Sequence, residues 1–294
     1  MGTTVHLVGV GNDVEALLET AEARIVQLEA QWSRFRPASE LSRLNDRAGE
    51  RVQLTPETYD LVAAAVDGWQ RTGGLFDPTL LTEVEQAGYD RSFDELPATR
   101  ASEGGTPIPA AHSGCAGIAL DPDTTSVVLP AGLRLDLGGI AKGYAADLVV
   151  TDLAATGLEG ACANLGGDVR VWGRAPDDAD AWTVDIQDPT DAATPLARLA
   201  IDDGAIVTST RLRRRWLVDG VEQHHLIDPR TGRPAFTGWA QVSVITATAT
   251  EAEVLAKALF LAGPEGGADL LAEHAARAVL VADDGHVETL GFDD

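Results

Sequence analysis

The sequence of 294 residues predicts an α+β protein rather than a doubly wound α/β protein. Short strand-like segments follow one another between residues 161 and 218, whereas a doubly wound sheet needs a helix after almost every strand. Gly9-Val10-Gly11 follows a strand but lacks the third glycine of a dinucleotide fingerprint, because that position is Val14. Hydrophobic residues make up 45% of the chain, which is long enough to bury its own core. We therefore expect a single α+β domain over residues 1–294.

Hydrophobic periodicity places the elements along the chain. Apolar residues at steps of three and four predict a helix capped by Asp13 that stops at Arg36-Pro37, and Ser39 is typical of a second helix cap. The Pro- and Gly-rich segment 97–116 is predicted to be a surface loop. The other predicted helices are 55–71, 143–155 and 250–262, and the predicted strands are 4–10, 118–120, 126–129, 133–137, 161–164, 169–173, 182–186, 197–201, 205–208, 215–218 and 241–246.

Charge and cysteine content exclude several classes of protein. The formal net charge is −24, so no nucleic-acid partner is expected, because phosphate backbones are bound by basic surfaces. No apolar run approaches the roughly 20 residues that span a bilayer, and the N-terminus does not have the pattern of a secretory signal. Cys115 and Cys162 are too few for a disulfide framework. These features favour a cytoplasmic protein without a membrane span.

The cationic side chains are almost all arginine. Lys142 and Lys257 are the only two lysines of the chain. A compositional bias explains why arginine greatly outnumbers lysine. A need for a compact ammonium group at two particular positions is the alternative explanation. Both lysines lie in motifs, which keeps the second explanation open.

Five segments are richer in glycine and polar residues than a core requires. They are Trp32–Asn45, Gly74–Thr79, Leu135–Asp147, Asn164–Asp168 and His225–Pro234. In the third segment, Asp136 precedes Gly138-Gly139 and a helix that begins near Lys142. Glycine lets the backbone approach a ligand, and a helix N-terminus beside an ammonium group attracts an anion. The pattern suits a pyrophosphate, although glycine turns before helices are also common for packing alone.

The fifth segment joins a histidine to residues that favour a turn. His225 precedes Asp228-Pro229 and Arg230-Thr231-Gly232, which is good turn chemistry. A surface histidine beside a plain turn explains this pattern. A catalytic or phosphate-contacting role for His225 explains it equally, because histidine titrates near neutral pH. The neighbouring His224 would point elsewhere on a strand and is the weaker candidate.

Five motifs in this order resemble the FAD:protein FMN transferase family, also called the ApbE family. They are Ser39-Glu-Leu-Ser-Arg-Leu-Asn45, Phe76-Asp-Pro-Thr79, Asp136-Leu-Gly-Gly-Ile-Ala-Lys-Gly-Tyr144, Asn164-Leu-Gly-Gly167 and His225-Leu-Ile-Asp-Pro-Arg-Thr-Gly232. The resemblance implies a T-fold-like α+β architecture with an antiparallel central sheet and flanking helices. It also implies a Mg²⁺-dependent enzyme that cleaves FAD, attaches FMN to a Thr or Ser hydroxyl of a target flavoprotein, and releases AMP.

The resemblance also assigns roles to individual residues. The positions that match the flavin nucleotide site are Met1, Phe35, Leu75, Phe76, Asp77, Asp136, Lys142 and His225. Phe35 stands where many members have tyrosine. For catalysis, Lys142 and either a metal or Lys257 would stabilise charge. His225 would contact phosphate or act as general acid or base, and Asp136 would bind the metal or the nucleotide.

One motif departs from the family pattern. Where the family has Asp and Thr that hold Mg²⁺, this chain has Glu253 and Lys257. Either these two form an ordinary i,i+4 salt bridge, or the Lys257 ammonium takes part of the metal's place and neutralises phosphate. In the second case Mg²⁺ binds weakly or not at all. The oxygens left for it would belong to Asp136 or Glu253 and to the carbonyls near Gly139 and Ala249.

Two other functions remain open. If water replaces the protein hydroxyl, the same site makes the chain an FAD pyrophosphatase that forms FMN and AMP. If the altered metal site has lost catalysis, the chain is a flavin-binding protein without turnover. A generic binding domain unrelated to flavin would leave the five ordered motifs unexplained.

Overall fold

The structure, a computed structural model, describes residues 3–101, 114–191 and 193–292. These residues form two compact units. The first unit consists of residues 29–101, 114–140 and 211–237, and the second of residues 3–28, 141–191, 193–210 and 238–292. The predicted surface loop 97–116 lies mostly outside the described residues. Within the described part of the chain, no helix is long and apolar enough to cross a membrane.

The elements follow one another along the chain in a mixed order. The strands are β1 (Val5–Val10), β2 (Arg51–Gln53), β3 (Thr99–Arg100), β4 (Ala119–Asp121), β5 (Ser126–Val128), β6 (Gly160–Leu165), β7 (Asp168–Gly173), β8 (Trp182–Gln187), β9 (Pro195–Ile201), β10 (Gly204–Thr210), β11 (Arg215–Val218), β12 (Val221–His224), β13 (Ile227–Asp228), β14 (Arg233–Pro234), β15 (Trp239–Thr246), β16 (Arg277–Ala282) and β17 (Val287–Leu290). The α-helices are α1 (Val14–Trp32), α2 (Glu40–Asp46), α3 (Pro56–Arg71), α4 (Leu81–Gln86), α5 (Ala141–Ala155), α6 (Ala249–Ala262) and α7 (Gly267–Ala272).

The second unit is built on an antiparallel sheet. Its described strands follow the order β1-β6-β7-β10-β15-β16-β17, and every neighbouring pair is antiparallel. This confirms the α+β class and the antiparallel central sheet. β15 is buried at all its positions, as expected for a strand covered on both faces. Helices α5 and α6 pack against the sheet, and the β8–β9 hairpin adds Trp182 and Ile186 to a core that includes Val171 and Ile206.

The first unit combines short sheets with helices α2, α3 and α4. Its sheets are β2-β5-β4, β12-β11-β3 and the β13–β14 hairpin. Tyr89 and Trp216 lie in one of its hydrophobic clusters, with ring centres 5.6 Å apart. The indole Nε1 of Trp216 donates a 2.7 Å hydrogen bond to the carbonyl of Ala87, which satisfies the buried polar atom of the ring. This packing fixes Tyr89, which takes part in the site described below.

The predicted strand at 133–137 is wrong. The segment has no regular secondary structure and belongs to none of the described sheets. The Asn45 side chain satisfies both backbone groups of Leu135, accepting from its N–H at 2.8 Å and donating to its carbonyl at 2.9 Å. The next N–H, that of Asp136, donates to the carbonyl of Pro78 at 2.7 Å. A side-chain amide therefore takes the place of a neighbouring strand.

The helix boundaries near residue 36 also differ from the prediction. Helix α1 ends at Trp32, before the predicted stop at Arg36-Pro37, because a turn with a hydrogen bond from Arg36 N–H to the Ser33 carbonyl precedes the proline. The predicted cap at Ser39 is confirmed, since its hydroxyl accepts from Ser42 N–H at 3.0 Å. The helices predicted at 55–71 and 250–262 are present with boundaries within one residue.

Candidate functional site

Both lysines of the chain meet at one buried carboxylate in the second unit. Oε1 of Glu253 lies 2.7 Å from Nζ of Lys142 and 3.2 Å from Nζ of Lys257. The Lys142 ammonium also donates to Oδ2 of Asp168. The other oxygen of Glu253, Oε2, accepts a 2.8 Å hydrogen bond from the N–H of Gly143. We refer to Lys142, Asp168, Glu253 and Lys257 as the lysine–carboxylate cluster.

A glycine allows the two helices of this cluster to approach. Lys142 is the second residue of α5, and Glu253 lies in the first turns of α6. A Cβ atom on Gly143 would lie 2.4 Å from the carbonyl oxygen of Ala249, so a larger residue would push the helices apart. Asp147 of α5 then fixes the start of α6, because its Oδ1 accepts from Ala249 N–H at 2.8 Å. Together these contacts bring the Glu253 carboxylate to the start of α5.

A tight hairpin places the second carboxylate of the cluster. β6 and β7 are joined by Gly166-Gly167, and Leu165 pairs with Asp168 across the turn. The two glycines have φ of +72° and +100°, in the region that a two-residue type I′ turn requires. The Asn164 side chain closes the turn by accepting from Gly167 N–H at 2.8 Å. The Asn164–Asp168 motif therefore ends with a carboxylate that contacts Lys142.

The carboxylates of the cluster are more deeply buried than its ammonium groups. The side chains of Glu253 and Asp168 are 0% and 4% exposed, whereas those of Lys142 and Lys257 are 15% and 16% exposed. The part of the cluster that solvent reaches therefore belongs mainly to the lysines. An anion that approaches the cluster from solvent therefore meets lysine side chains rather than carboxylates.

Mutual attraction keeps Lys142 and Glu253 charged despite their burial. Burial lowers the pKa of Lys142, but the carboxylates of Asp168 and Glu253 outweigh it and hold that pKa above its usual range. Burial raises the pKa of Glu253, but the two ammonium groups outweigh it and hold that pKa well below its usual range. Lys142 is therefore a permanent cation at neutral pH. It can stabilise anionic oxygens, but it cannot act as a base.

The oxygens of the second unit that the resemblance implies for Mg²⁺ are already in contact with other groups. Mg²⁺ requires near-octahedral oxygen coordination at about 2.1 Å. Both oxygens of Glu253 already accept hydrogen bonds, Lys257 offers no lone pair, and the carbonyl of Ala249 packs on α5. In the described part of the chain, no group of three or more His, Cys, Asp or Glu side chains could hold a metal ion. The residues of the second unit do not fit the implied Mg²⁺.

In the first unit, a buried arginine holds two predicted site residues. Nε of Arg34 lies 3.1 Å from Oδ2 of Asp136, and Nη2 donates to the carbonyl of Tyr89 at 2.7 Å. The guanidinium carbon is 4.1 Å from the centre of the Phe35 ring and 4.9 Å from that of Tyr89, within cation–π range. Phe35 keeps 38% of its surface exposed. We refer to Arg34, Phe35, Tyr89 and Asp136 as the Arg34 cluster.

The Gly74–Thr79 motif forms a turn before α4. Oδ1 of Asp77 accepts from the N–H of Thr79 at 2.9 Å, as aspartate often does in turns. Leu75 is half-buried, and Phe76 is only 3% exposed, so Phe76 occupies a core position. The motif therefore has a clear structural role, whatever further contact Leu75 and Asp77 make.

The two histidines of the fifth motif differ in their surroundings. His225 follows strand β12 and is half-buried. His224 is fully buried, and its Nδ1 accepts from Leu226 N–H at 3.3 Å. Burial lowers the pKa of His224 to about 4, so this ring is neutral at physiological pH. The predicted turn is present, because Asp228 accepts from Gly232 N–H at 2.8 Å through its carbonyl.

The structure brings only part of the predicted site into direct contact. Lys142, Glu253 and Lys257 meet in the second unit, and Phe35 and Asp136 share Arg34 in the first. Gly139 and Leu75 lie in the first unit, Ala249 lies in the second, and Met1 lies outside the described residues. The sequence pattern does not single out Asp168, although this residue ends the Asn164–Asp168 motif. Nothing in the sequence distinguishes Arg34 from the other arginines of Trp32–Asn45.

The antiparallel sheet, the helices packed against it and the buried lysine–carboxylate cluster define an α+β protein with two lysines at one carboxylate. The sequence profile of the ApbE family matches residues 1–281. A FAD:protein FMN transferase of Treponema pallidum is 34% identical over 273 residues, which cover 89% of this chain and 75% of that protein. A protein of the same name from Rhodobacter capsulatus is 33% identical, and the match covers 90% of this chain but 50% of that longer protein. The chain belongs to the ApbE family.

Solved structures agree with this assignment. The crystal structure of the ApbE protein from Thermotoga maritima matches with a TM-score of 0.86 at 28% identity, over 98% of this chain and 94% of that chain. The flavin transferase ApbE from Vibrio cholerae matches with a TM-score of 0.81 at 25% identity, over 98% and 93% of the two chains. The α+β fold class and the family inferred from the motifs are confirmed.

Proposed function

We propose that this chain is an FAD:protein FMN transferase. In the reaction, a Thr or Ser hydroxyl oxygen of a target flavoprotein forms a bond to the phosphorus of the FMN half of FAD. The bond from that phosphorus to the bridging oxygen of the pyrophosphate breaks, and AMP leaves with that oxygen. The hydroxyl proton passes to a base. Relatives of this name that align with about nine tenths of the chain support the proposal.

The lysine–carboxylate cluster is the observation that carries this proposal. Negative charge grows on the bridging oxygen as the bond to AMP breaks, and preorganised positive charge stabilises it. Lys142 is a permanent cation, held by Asp168 and Glu253 rather than by solvent. Because these contacts fix its position before FAD binds, little reorganisation is needed when the charge develops.

The Arg34 cluster is proposed to contact the flavin nucleotide. The exposed Phe35 ring offers an apolar face for stacking, and the guanidinium of Arg34 beneath it fixes its orientation. One oxygen of Asp136 accepts from Gly138 N–H at 2.8 Å, and the other faces Arg34. Asp136 is therefore held in one position, from which it can accept a hydrogen bond from the nucleotide.

His225 is proposed as the acid or base of the reaction. An imidazole ring can take the proton of the acceptor hydroxyl, which Lys142 as a permanent cation cannot do. The neighbouring His224 is unsuited to this role, because it is fully buried and its Nδ1 already accepts a backbone hydrogen bond. Met1, Leu75 and Asp77 remain proposed nucleotide contacts on the strength of the family motifs, whereas Phe76, expected to contact the nucleotide, is buried in the core.

The partners and location are inferred from the same reasoning. The partners are FAD and a target flavoprotein that presents a Thr or Ser hydroxyl. A cytoplasmic location stays a prediction, and it rests on the two cysteines, both free in the structure. No step of the proposed reaction is assigned to a metal ion.

The test is an assay of purified protein with FAD, with and without a Thr-containing acceptor peptide. We expect AMP release and a gain in peptide mass equal to one FMN phosphoester. Lys142→Gln should slow AMP release by roughly 100-fold or more, the effect of removing one preorganised charge-stabilising group. The control Arg71→Gln changes an exposed residue of α3 and should leave the rate unchanged.

The outcomes separate the competing functions. AMP and FMN formed at the same rate without acceptor, and no mass gain with it, would identify a pyrophosphatase. Intact FAD bound under every condition would identify a flavin-binding protein. Either result would refute the proposed transfer reaction.

A further inference from the structure

The metal ligands implied by the family are replaced in this chain by a protein cation. We infer that the Lys257 ammonium takes the place of a divalent cation, so that the lysine–carboxylate cluster binds the pyrophosphate of FAD with two ammonium groups and no metal ion. This inference rests on the proposed function for the identity of the anion. The absence of a bound metal, in contrast, concerns the protein alone and can be tested without FAD.

Both oxygens of Glu253 already have donors that the fold provides. Its Oε1 accepts from Lys142 at 2.7 Å and from Lys257 at 3.2 Å, and its Oε2 accepts from Gly143 N–H at 2.8 Å. The side chain is fully buried, so it cannot rotate away without leaving these three donors unsatisfied. A metal would have to displace hydrogen bonds that the fold itself provides.

The positive and negative charges of the lysine–carboxylate cluster are equal in number. Two ammonium groups and two carboxylates form the cluster, and the four side chains are joined by contacts within hydrogen-bond distance. No negative charge within the cluster is therefore left uncompensated to attract a divalent cation. A Mg²⁺ ion near Oε1 of Glu253 would also lie beside both ammonium groups, and this repulsion is strong in a site with little water.

The lysine side chains are the most exposed part of the cluster. Lys257 is 16% exposed and Lys142 is 15% exposed, above carboxylates that are nearly inaccessible. A pyrophosphate therefore meets the two ammonium groups, each of which can donate a charge-assisted hydrogen bond to an anionic oxygen. A pair used only for helix stability needs no such access. The chain has such a pair in Asp67 and Arg71, whose side chains are 62% and 44% exposed at the same i,i+4 spacing.

The experiment compares the wild-type protein with a Glu253→Asp/Lys257→Thr double variant and an Arg71→Thr control. Mg²⁺ binding to each protein is measured by calorimetry in the absence of FAD. AMP release from FAD with the acceptor peptide is then measured in EDTA and in excess Mg²⁺. A Lys257→Met variant, assayed in EDTA, tests whether the ammonium acts on the substrate.

We expect the wild type and the control to show no saturable Mg²⁺ binding and equal AMP release in EDTA and Mg²⁺. The double variant should bind Mg²⁺ and release AMP only when Mg²⁺ is present. Lys257→Met should lose roughly 100-fold in AMP release in EDTA, because it lacks one of the two cations. If that variant fails to fold, the Mg²⁺ titration of the wild type still decides the question.

Several results would overturn the inference. They are saturable Mg²⁺ binding to the wild type, loss of wild-type AMP release in EDTA, or an unchanged rate for a folded Lys257→Met variant. If no protein releases AMP under any condition, the proposed function fails instead. In that case a wild type that binds no Mg²⁺, beside a double variant that does, still supports replacement of the metal by Lys257.

Discussion

Glu253→Gln should destabilise the protein by about 3–5 kcal/mol, the range found when one partner of a buried ion pair is removed. The Glu253 side chain is fully buried and accepts hydrogen bonds from two ammonium groups and from Gly143 N–H. Glutamine has one acceptor oxygen, and its NH₂ group would face another donor. The substitution also leaves Lys142 and Lys257 with only the charge of Asp168 to compensate both.

Urea unfolding followed by circular dichroism measures this effect. The control is Asp67→Asn, which breaks the exposed pair with Arg71 and should change the free energy of unfolding by less than about 0.5 kcal/mol. A Glu253→Gln/Lys257→Met variant removes one charge of each sign and should be more stable than Glu253→Gln alone. The reasoning is refuted if Glu253→Gln costs less than about 1 kcal/mol, the value of a surface pair, or if the double variant recovers no stability.

Three further predictions concern other parts of the structure. The pKa of His224 in the folded protein is about 4 and lies below its value in the unfolded chain, so the free energy of unfolding of the wild type should fall by up to about 3 kcal/mol from pH 6.5 to pH 4. His224→Asn should remove that loss, as measured by urea midpoints across this pH range. An unchanged pH dependence in the variant would contradict the prediction. Gly143→Ala should lower stability by about 1–3 kcal/mol, because its Cβ would lie 2.4 Å from the Ala249 carbonyl, and an unchanged thermal midpoint would show that the helices separate freely. Arg34→Gln should raise KM for FAD more than it changes kcat. Arg34→Lys should not restore the wild-type KM, because an ammonium group lacks the planar fork that contacts both Asp136 and the backbone. Equal KM and kcat in both variants and the wild type would show that Arg34 does not belong to the site.

The elements predicted best from the sequence are those with long, regular patterns. Steps of three and four apolar residues predicted helices α3 and α6 to within one residue. Strand β11 is present at 215–218 as predicted, and its Trp216 and Val218 are residue types that are enriched in strands. The failures are local. The segment 133–137 has a strand-like pattern, but the side-chain amide of Asn45 supplies its hydrogen bonds, a contact over 90 positions of sequence that no local pattern can show.

The candidate site was predictable in residue type but not in contacts. The motif around Lys142 indicated an anion site, and the change from Asp and Thr to Glu253 and Lys257 indicated an altered metal site. The sequence did not show that the two lysines share one oxygen, because α5 and α6 are separated by about a hundred residues. From the sequence, the N–H groups at the start of α5 were expected to be available to an anion. In the structure, the N–H of Gly143 instead donates to the Glu253 carboxylate. Only the packing of the two helices determines which donors remain available to a ligand.

The geometry of the cluster also accounts for the presence of lysine at two positions in a chain whose other cations are arginine. Oε1 of Glu253 accepts from both ammonium groups, while Oε2 is taken by a backbone N–H. A guanidinium binds a carboxylate best as a planar fork that uses both oxygens, and two such forks cannot share one oxygen. An ammonium group is compact and donates in three directions, so it can contact Glu253 and still offer donors to an anion. Compositional bias explains why lysine is rare in this chain. The shared oxygen of Glu253 explains why lysine rather than arginine occupies positions 142 and 257.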